Sequence, residues 1–167
     1  MSIEEVFQIT LILATFLCSL VTGFLFAFAI VVMPGIRNLK DREFIRAFQV
    51  IDGVIQNNQP LFVSVWMGSI LASLIAAGLG FGAMTGVQRM LLVAAPIIYI
   101  LGVQVSTFTI NVPLNNALQR LNVDDMDELA LQAARMNFDP SWNRWNLVRT
   151  PLAGLASGLF MVLLFRL

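Results

Sequence analysis

The sequence predicts an all-α integral membrane protein, a four-helix bundle with an amphipathic interfacial helix between spans 1 and 2 and a short helix between spans 3 and 4. Apolar residues make up 58% of the 167 residues and charged residues 12%, and the mean hydropathy is +0.82. Soluble domains carry far more charge. Four stretches with few charges, at about 6–33, 60–78, 89–112 and 140–165, come close to or exceed the roughly 20 residues that cross a bilayer. We expect residues 1–167 to form one membrane domain in contact with lipids.

The composition also excludes several kinds of chemistry. The 10 basic and 10 acidic residues balance, so no nucleic-acid partner is expected. The chain has no histidine and one cysteine, Cys18, which excludes an internal disulfide, a Ser-His-Asp triad and metal sites built on imidazole or paired thiolates. Haem ligation is nearly excluded as well. We expect no metal and no cofactor.

The first span follows a short acidic start. No charged residue occurs from Val6 to Ile36, and Met33-Pro34-Gly35 is predicted to stop the helix. Glu4 and Glu5 stand where a cleaved signal peptide would carry basic residues, so we expect the span to be retained.

The segment of about 38–57 has the pattern of an amphipathic helix. After a charged start, one narrow apolar stripe recurs at helical spacing, formed by Phe44, Phe48, Ile51 and Ile55. Gln49, Asp52 and Gln56 follow the same spacing on the flank of that stripe. Such a helix lies at the membrane surface or folds back over the mouth of the bundle. The alternative is a linker helix without chemistry.

The second span is predicted to begin at Pro60, a favoured first helical position, and the glycines at 78–86 mark the connection to the third. Pro96 is expected to kink the third span. Pro113 is expected to kink or end it near Val112, because proline lacks the backbone donor and clashes with the preceding turn.

A polar stripe follows the end of the third span. Gln104, Thr107, Asn111 and Asn115 recur at intervals of three and four, which places them on one side of a helix. Polar groups without partners are costly inside a bilayer, so this side should face the bundle interior or a wet cavity. The stripe predicts either a site or a tightly hydrogen-bonded contact between helices.

The loop after Asn115 is acidic and leads to a short helix of about 125–137, with Asp124 or Asp125 as its cap. Asp139-Pro140 resembles the start of the fourth span. Further along, one face of that span carries Trp142, Trp145, Asn146 and Arg149. Tryptophans at a span end are often interfacial anchors, so Arg149 either extends to the lipid headgroups or reaches inward.

The basic residues predict the orientation. Most lie in the two loops that contain the short helices and in the adjoining span ends, namely Arg37, Lys40, Arg42, Arg46, Arg120, Arg135, Arg144 and Arg149. The opposite side has Arg89 and Arg166. Because basic loops stay in the cytoplasm, we expect a multi-pass protein of the cell (inner) membrane with both termini outside the cytoplasm. The polar residues then converge on the cytoplasmic end, as a site or because the two loops simply pair.

Several fragments resemble the anthrone oxygenase-like family of small membrane proteins, and they cover most of the chain in the same order. The fragments are Gly23 with Phe24 and Phe26, Val32-Met-Pro-Gly35, Gln49 to Asn58 before Pro60, Asn111-Val-Pro-Leu-Asn115, and Trp145-Asn146 followed by Arg149-Thr150. The resemblance implies a four-span bundle and, as for fungal members, oxidation of polyketide anthrones to anthraquinones without an evident metal or flavin.

Cofactor-independent oxygenation needs a base and donors that stabilise an oxyanion. As a hypothesis, Asp52 acts as the base, since burial disfavours its charged form, and Arg149 stabilises the oxyanion. The residues expected to bind the substrate are Gln49, Gln56, Gln104, Thr107, Asn111, Asn115, Trp142, Trp145 and Asn146. An ion pair between Asp52 and Arg149 is the structural alternative.

Two other functions stay open at this point. The protein could be a non-enzymatic binder of a lipid, quinone or other hydrophobic small molecule. It could also be a structural accessory subunit of a membrane complex, in which the polar stripes only bond helices together. Small-residue patches at 72–78 and 154–158 would permit a homo-oligomer or serve internal packing.

Overall fold

The computed structural model describes residues 2–167, and five helices make up most of them. They are α1, Ile3–Ile36; α2, Asp41–Gln56; α3, Pro60–Gly80; α4, Gly86–Gln119; and α5, Glu128–Phe165. All except α2 are long and apolar enough to cross a membrane. The predicted four-span membrane bundle is therefore confirmed.

The four long helices pack around an apolar core. Helix α1 packs against α3 and α5, and α4 packs against α5 and α3. Gly102 allows α4 to approach α5 closely, because a Cβ atom there would lie 2.8 Å from Leu152 Cδ1. Large apolar side chains such as Phe16, Leu71 and Leu101 remain exposed on the outer surface. In a bilayer this surface faces lipid.

Helix α2 lies across one end of the bundle and forms a second apolar core there. Its buried residues Phe44, Ile45 and Phe48 pack with Phe138 and Trp142 of α5. Of the apolar stripe predicted from the sequence, Phe44 and Phe48 are buried and Ile51 and Ile55 are partly buried, so α2 is amphipathic and folds back over the mouth of the bundle. We refer to this end as the polar end.

Ion pairs connect the two loops at the polar end, as one of the alternatives drawn from the sequence predicted. The pairs join Arg37 to Asp139, Arg42 to Glu128, Arg46 to Asp124, and Arg135 to Asp41. The Arg135 guanidinium also lies over the Phe44 ring, 4.3 Å from its centroid. The loops therefore hold each other and cover the end of the bundle.

Proline produces wider helical turns here instead of helix ends. In α1 the Met33 amide bonds to the Phe28 carbonyl, and in α4 the Val112 amide bonds to the Thr107 carbonyl, both of which are π-type bonds. Each of these amides belongs to the residue before a proline, whose ring would clash with the carbonyl of an ordinary turn.

These turns bear on three expectations about helix ends and kinks. Pro113 does not end α4 near Val112, since the helix continues to Gln119. Pro96 is followed by the π-helical segment Ile98–Gln104 within the same continuous helix. The tripeptide from Met33 forms the last turn of α1, which ends at Ile36, directly after the predicted stop.

Helix α5 corrects the expectation of a separate short helix at 125–137 and of a helix start at Asp139-Pro140. It runs without interruption for 38 residues through Pro140 and Pro151. Its N-cap is Asp127, whose carboxylate accepts the Ala130 amide, and not Asp124 or Asp125. The Asp139 carboxylate accepts from Arg37 and Asn143 instead of capping a helix. An internal proline removes one backbone bond and crowds the preceding turn, and helices packed against neighbours in a membrane can tolerate this, as α5 does.

Candidate functional site

A cavity of about 180 Å³ lies between the two apolar cores, and all five helices contribute to its wall. Its lining comprises Phe24, Leu25, Phe28, Phe48, Asp52, Ile55, Phe62, Trp66, Thr107, Phe108, Asn111, Val112, Asn115, Trp142 and Arg149. Pockets that bind small molecules commonly combine apolar walls with a few polar groups. Six of the eleven site residues predicted from the sequence line this cavity, namely Asp52, Thr107, Asn111, Asn115, Trp142 and Arg149.

Aromatic rings form much of the wall and pack against one another. Phe62 and Trp66 are stacked with centroids 5.4 Å apart, and Phe28 lies 5.7 Å from Trp142. Phe24 contacts both groups, at 4.8 Å from Phe28 and 5.2 Å from Phe62. Such walls suit a flat, apolar molecule, since ring faces contribute large contact areas.

Arg149 supplies a positive charge to this cavity. The residue is 4% exposed, and its Nη1 donates to Thr107 Oγ1 at 3.0 Å while Nε and Nη2 donate to Asn146 Oδ1 at 3.2 Å. Its guanidinium carbon lies 5.4 Å from the Trp142 ring centroid. No carboxylate of residues 2–167 forms an ion pair with it. Arg149 therefore reaches inward and is held by neutral partners.

Asn111 brings an unused acceptor to the same region. Its Nδ2 donates to the Trp142 carbonyl at 3.2 Å, and this contact fixes which amide atom is the nitrogen. The opposite atom, Oδ1, has no hydrogen-bond partner in the described chain, and the residue is only 1% exposed. A buried acceptor without a partner is costly, so a donor on a ligand would be stabilised there.

Asp52 supplies the negative charge from α2. The residue is 2% exposed and accepts hydrogen bonds from Asn115 Nδ2 at 2.8 Å, Gln119 Nε2 at 3.0 Å and Gln56 Nε2 at 3.2 Å. All three donors are neutral amides. The ion pair of Asp52 with Arg149, which was the structural alternative, does not form.

Asn115 and Trp142 connect the two charged groups. Trp142 Nε1 donates to Asn115 Oδ1 at 2.7 Å, and Asn115 Nδ2 in turn donates to Asp52. The Trp142 ring also lies beside the Arg149 guanidinium. This one indole therefore contacts both Arg149 and Asn115, the residue that holds Asp52. Buried networks of this kind hold their members in one geometry when every bond is made.

Other predicted site residues lie outside the cavity and hydrogen-bond to its lining residues or between the helices that carry them. Gln104 Oε1 accepts from Trp66 Nε1 at 2.9 Å, and Asn146 Nδ2 donates to the Leu25 carbonyl at 3.3 Å. Gln49 donates to the carbonyls of Leu118 and Leu121, which bonds α2 to the end of α4. Gln56 is exposed and joins Asp52 to Asn116.

Trp145 is not brought to the cavity. It lies in a shallow groove on the outer surface between α4 and α5, beside Val105, Ile110 and Leu152. It shares a broad face with Trp142, but at three residues of separation the two indoles diverge by about 60° around the helix. An interfacial or lipid-facing role suits this position.

The sequence reasoning missed Gln119 and most of the aromatic wall. Gln119 stands four residues after Asn115 and so continues the polar stripe of α4 by one turn. Phe24 and Phe28, and likewise Phe62 and Trp66, are each four residues apart, which is a signal for aromatic pairs on one helix face.

Comparison with known proteins places the chain in a family. A family model described as anthrone oxygenase matches residues 55–159, which is more than half of the chain. The match includes the polar stripe of α4 and the Arg149 region, and it begins just after Asp52. No curated protein and no solved structure shows significant similarity. From the family match we conclude that this chain belongs to the anthrone oxygenase family.

Proposed function

We propose that the cavity binds a flat aromatic ketone of the anthrone type and that the protein promotes its oxidation by dioxygen without a cofactor. The observation that carries this proposal is the buried Arg149 guanidinium, which faces an aromatic-walled cavity with no carboxylate partner. Burying an unpaired charge is costly, and a ligand that develops negative charge would offset that cost.

Arg149 would act as the oxyanion stabiliser. Deprotonation of the methylene group of an anthrone places negative charge on the ketone oxygen. A fixed cation in a site that excludes water stabilises such charge far better than solvent-exposed groups do. Thr107 and Asn146 hold the guanidinium and would keep it in place during the reaction.

Asp52 would act as the base that removes the methylene proton. It lines the same cavity from α2, and the Asn115 amide holds it in one orientation. The resulting carbanion is electron-rich enough to reduce dioxygen. Overall, the methylene carbon becomes a carbonyl carbon, one atom of dioxygen forms that carbonyl, and the other leaves as water with the two protons.

The test is direct oxidation of anthrone by the purified protein in lipid nanodiscs. The expected result is equimolar loss of dioxygen and formation of anthraquinone, at a rate well above the spontaneous rate in empty nanodiscs. A spontaneous rate together with quenching of tryptophan fluorescence by anthrone would instead indicate a non-enzymatic binder. If the protein neither oxidises anthrone nor shows quenching, both functions are contradicted and an accessory subunit is favoured.

The orientation of the protein belongs to the same proposal. The ion-paired loops carry most of the basic residues, and basic loops stay in the cytoplasm. The polar end and the cavity would then lie near the inner leaflet, with both termini outside the cytoplasm. A reporter fused after Leu167 tests this. Alkaline phosphatase would be active there, whereas a fluorescent reporter that folds only in the cytoplasm would stay dark.

A further inference from the structure

A groove on the outer surface adjoins the cavity between α1 and α3. It has a volume of about 250 Å³ and is lined by Leu20, Val21, Phe24, Gln59, Leu61, Phe62, Val65 and Trp66. No charged side chain lines it. Leu20 and Leu61 are exposed, so in a bilayer the groove opens to lipid.

The groove and the cavity share one wall made of three rings. Phe24, Phe62 and Trp66 line both spaces. The three rings contact one another, with Phe62 5.2 Å from the Phe24 centroid and 5.4 Å from the Trp66 centroid, and with Phe24 and Trp66 6.4 Å apart. The residues that line both the groove and the cavity are therefore all aromatic.

These three rings differ in how firmly they are held. Trp66 is buried, and its Nε1 is tied to Gln104. Phe24 also packs against Phe28 at 4.8 Å. Phe24 and Phe62 are both partly buried, but Phe62 packs against only two of the rings, Phe24 and Trp66, and lies in the first turn of α3, two residues after Pro60. Phe62 is thus the least restrained of the three rings and the one that can rotate aside most easily.

The polar end closes the cavity much more firmly. Asp52 accepts three side-chain hydrogen bonds, and Gln49 donates two more to the end of α4. The ion pairs of α2 and its flanks add to this closure. A molecule that passed beneath α2 would have to break several polar bonds together, whereas passage beside Phe62 disturbs only apolar packing.

We infer that a flat aromatic molecule dissolved in the bilayer reaches the cavity sideways, first occupying the groove between α1 and α3 and then passing Phe62, which acts as the gate. The occupant follows from continuity, because the groove ends at the wall of the cavity and offers the same apolar and aromatic surfaces. The identity of the ligand rests on the proposed function, but the route itself does not require oxidation.

The test measures binding rates instead of turnover. Protein in phosphatidylcholine vesicles is mixed with vesicles that carry anthraquinone or anthracene, and quenching of tryptophan fluorescence is followed in time. Phe62→Ala removes the ring that separates the groove from the cavity, so association should become about tenfold faster, and dissociation should accelerate at least as much because the cavity also loses one ring contact. Leu71→Ala, an exposed apolar residue of the same helix outside the groove, is the matched control and should change neither rate.

Two further variants keep the test decisive if Phe62→Ala folds poorly. Leu20→Phe places a ring in the lipid-facing mouth of the groove and should slow both rates. Ile55→Ala enlarges the cavity on its α2 side, away from the groove, and should leave the association rate unchanged. Thermal melting of each variant checks that the fold is intact.

Each outcome has one meaning for the route. Faster association together with faster dissociation in Phe62→Ala, or slowing of both in Leu20→Phe, supports the gate. A change in dissociation alone makes Phe62 a simple wall residue and overturns it, as does faster association in Ile55→Ala alone. Absence of binding by anthracene also overturns it. Binding of anthracene without binding of anthraquinone contradicts the proposed function and leaves the gate intact.

Discussion

Arg149 Nη1 donates a 3.0 Å hydrogen bond to the Thr107 hydroxyl, and this neutral contact takes the place that a carboxylate usually has beside a buried arginine. Asn146 on the same helix supplies the only other side-chain acceptor for the guanidinium within residues 2–167. The charge is therefore held in position but not neutralised.

Replacing Arg149 separates stability from activity. In Arg149→Met the side chain keeps most of its volume, and no buried carboxylate loses a partner. We expect the free energy of unfolding to change by no more than about 1–2 kcal/mol, because only hydrogen bonds to neutral groups are removed. Turnover of anthrone should fall by about 10²- to 10³-fold, as for loss of an oxyanion donor. Arg144→Met, an exposed arginine on the same helix, is the control. Full activity in Arg149→Met would contradict the role of Arg149 as the oxyanion stabiliser.

Asp52→Asn tests the base. The new amide keeps the shape of the carboxylate, but it presents donor hydrogens to side chains that are themselves donors, so we expect a loss of about 1–3 kcal/mol in stability. Turnover should fall by about 10²- to 10⁴-fold, which is the usual contribution of a general base. Gln56→Ala removes only an exposed donor to Asp52 and should keep most of the activity. Unchanged turnover in Asp52→Asn would remove Asp52 from the mechanism.

The two neighbouring tryptophans provide a matched pair. Trp142→Phe keeps an aromatic ring at the cavity but removes the Nε1 donor to Asn115, so the amide is free to turn away from Asp52. We expect a stability loss of about 1 kcal/mol and a lower turnover number with little change in KM. Trp145→Phe alters a groove outside the cavity and should change neither quantity. Equal effects of the two substitutions would contradict this assignment.

Gln104 is predicted to act through Trp66. In Gln104→Leu the buried indole N–H loses its acceptor, which should cost about 1–3 kcal/mol in the free energy of unfolding. Trp66→Phe removes the donor, so the double variant should be more stable than the sum of the single effects predicts, with a coupling of about 1–2 kcal/mol. Chemical denaturation in mild detergent measures this cycle. Additive effects would show that the bond contributes nothing.

Spacing alone predicted the side of α4 that faces the cavity. Thr107, Asn111 and Asn115 lie there because polar groups at intervals of four must share one buried side in an apolar helix. The same rule could not separate Trp142 from Trp145, since a face drawn from intervals of three and four spans too wide an arc. The difference depends on where α1 and α4 pack against α5, which is a tertiary property.

The predictions of a helix end near Pro113 and a helix start at Pro140 were wrong for a different reason. Pro113 and Pro140 were interpreted from local rules, under which proline ends a helix or begins one. In α4 a π-type turn before Pro113 accommodates the ring, and α5 simply continues through Pro140 between packed neighbours. Whether a chain continues past a proline depends on contacts with other helices, which the local sequence does not contain.

The unbroken length of α5 has a mechanical consequence. At about 1.5 Å per residue its 38 residues extend roughly 57 Å, almost twice the apolar thickness of a typical bilayer. A helix of this length responds to a thinner or thicker membrane by tilting, and Arg149 moves with it relative to the other helices that line the cavity. We therefore expect turnover in vesicles to pass through an optimum as the lipid tails are lengthened.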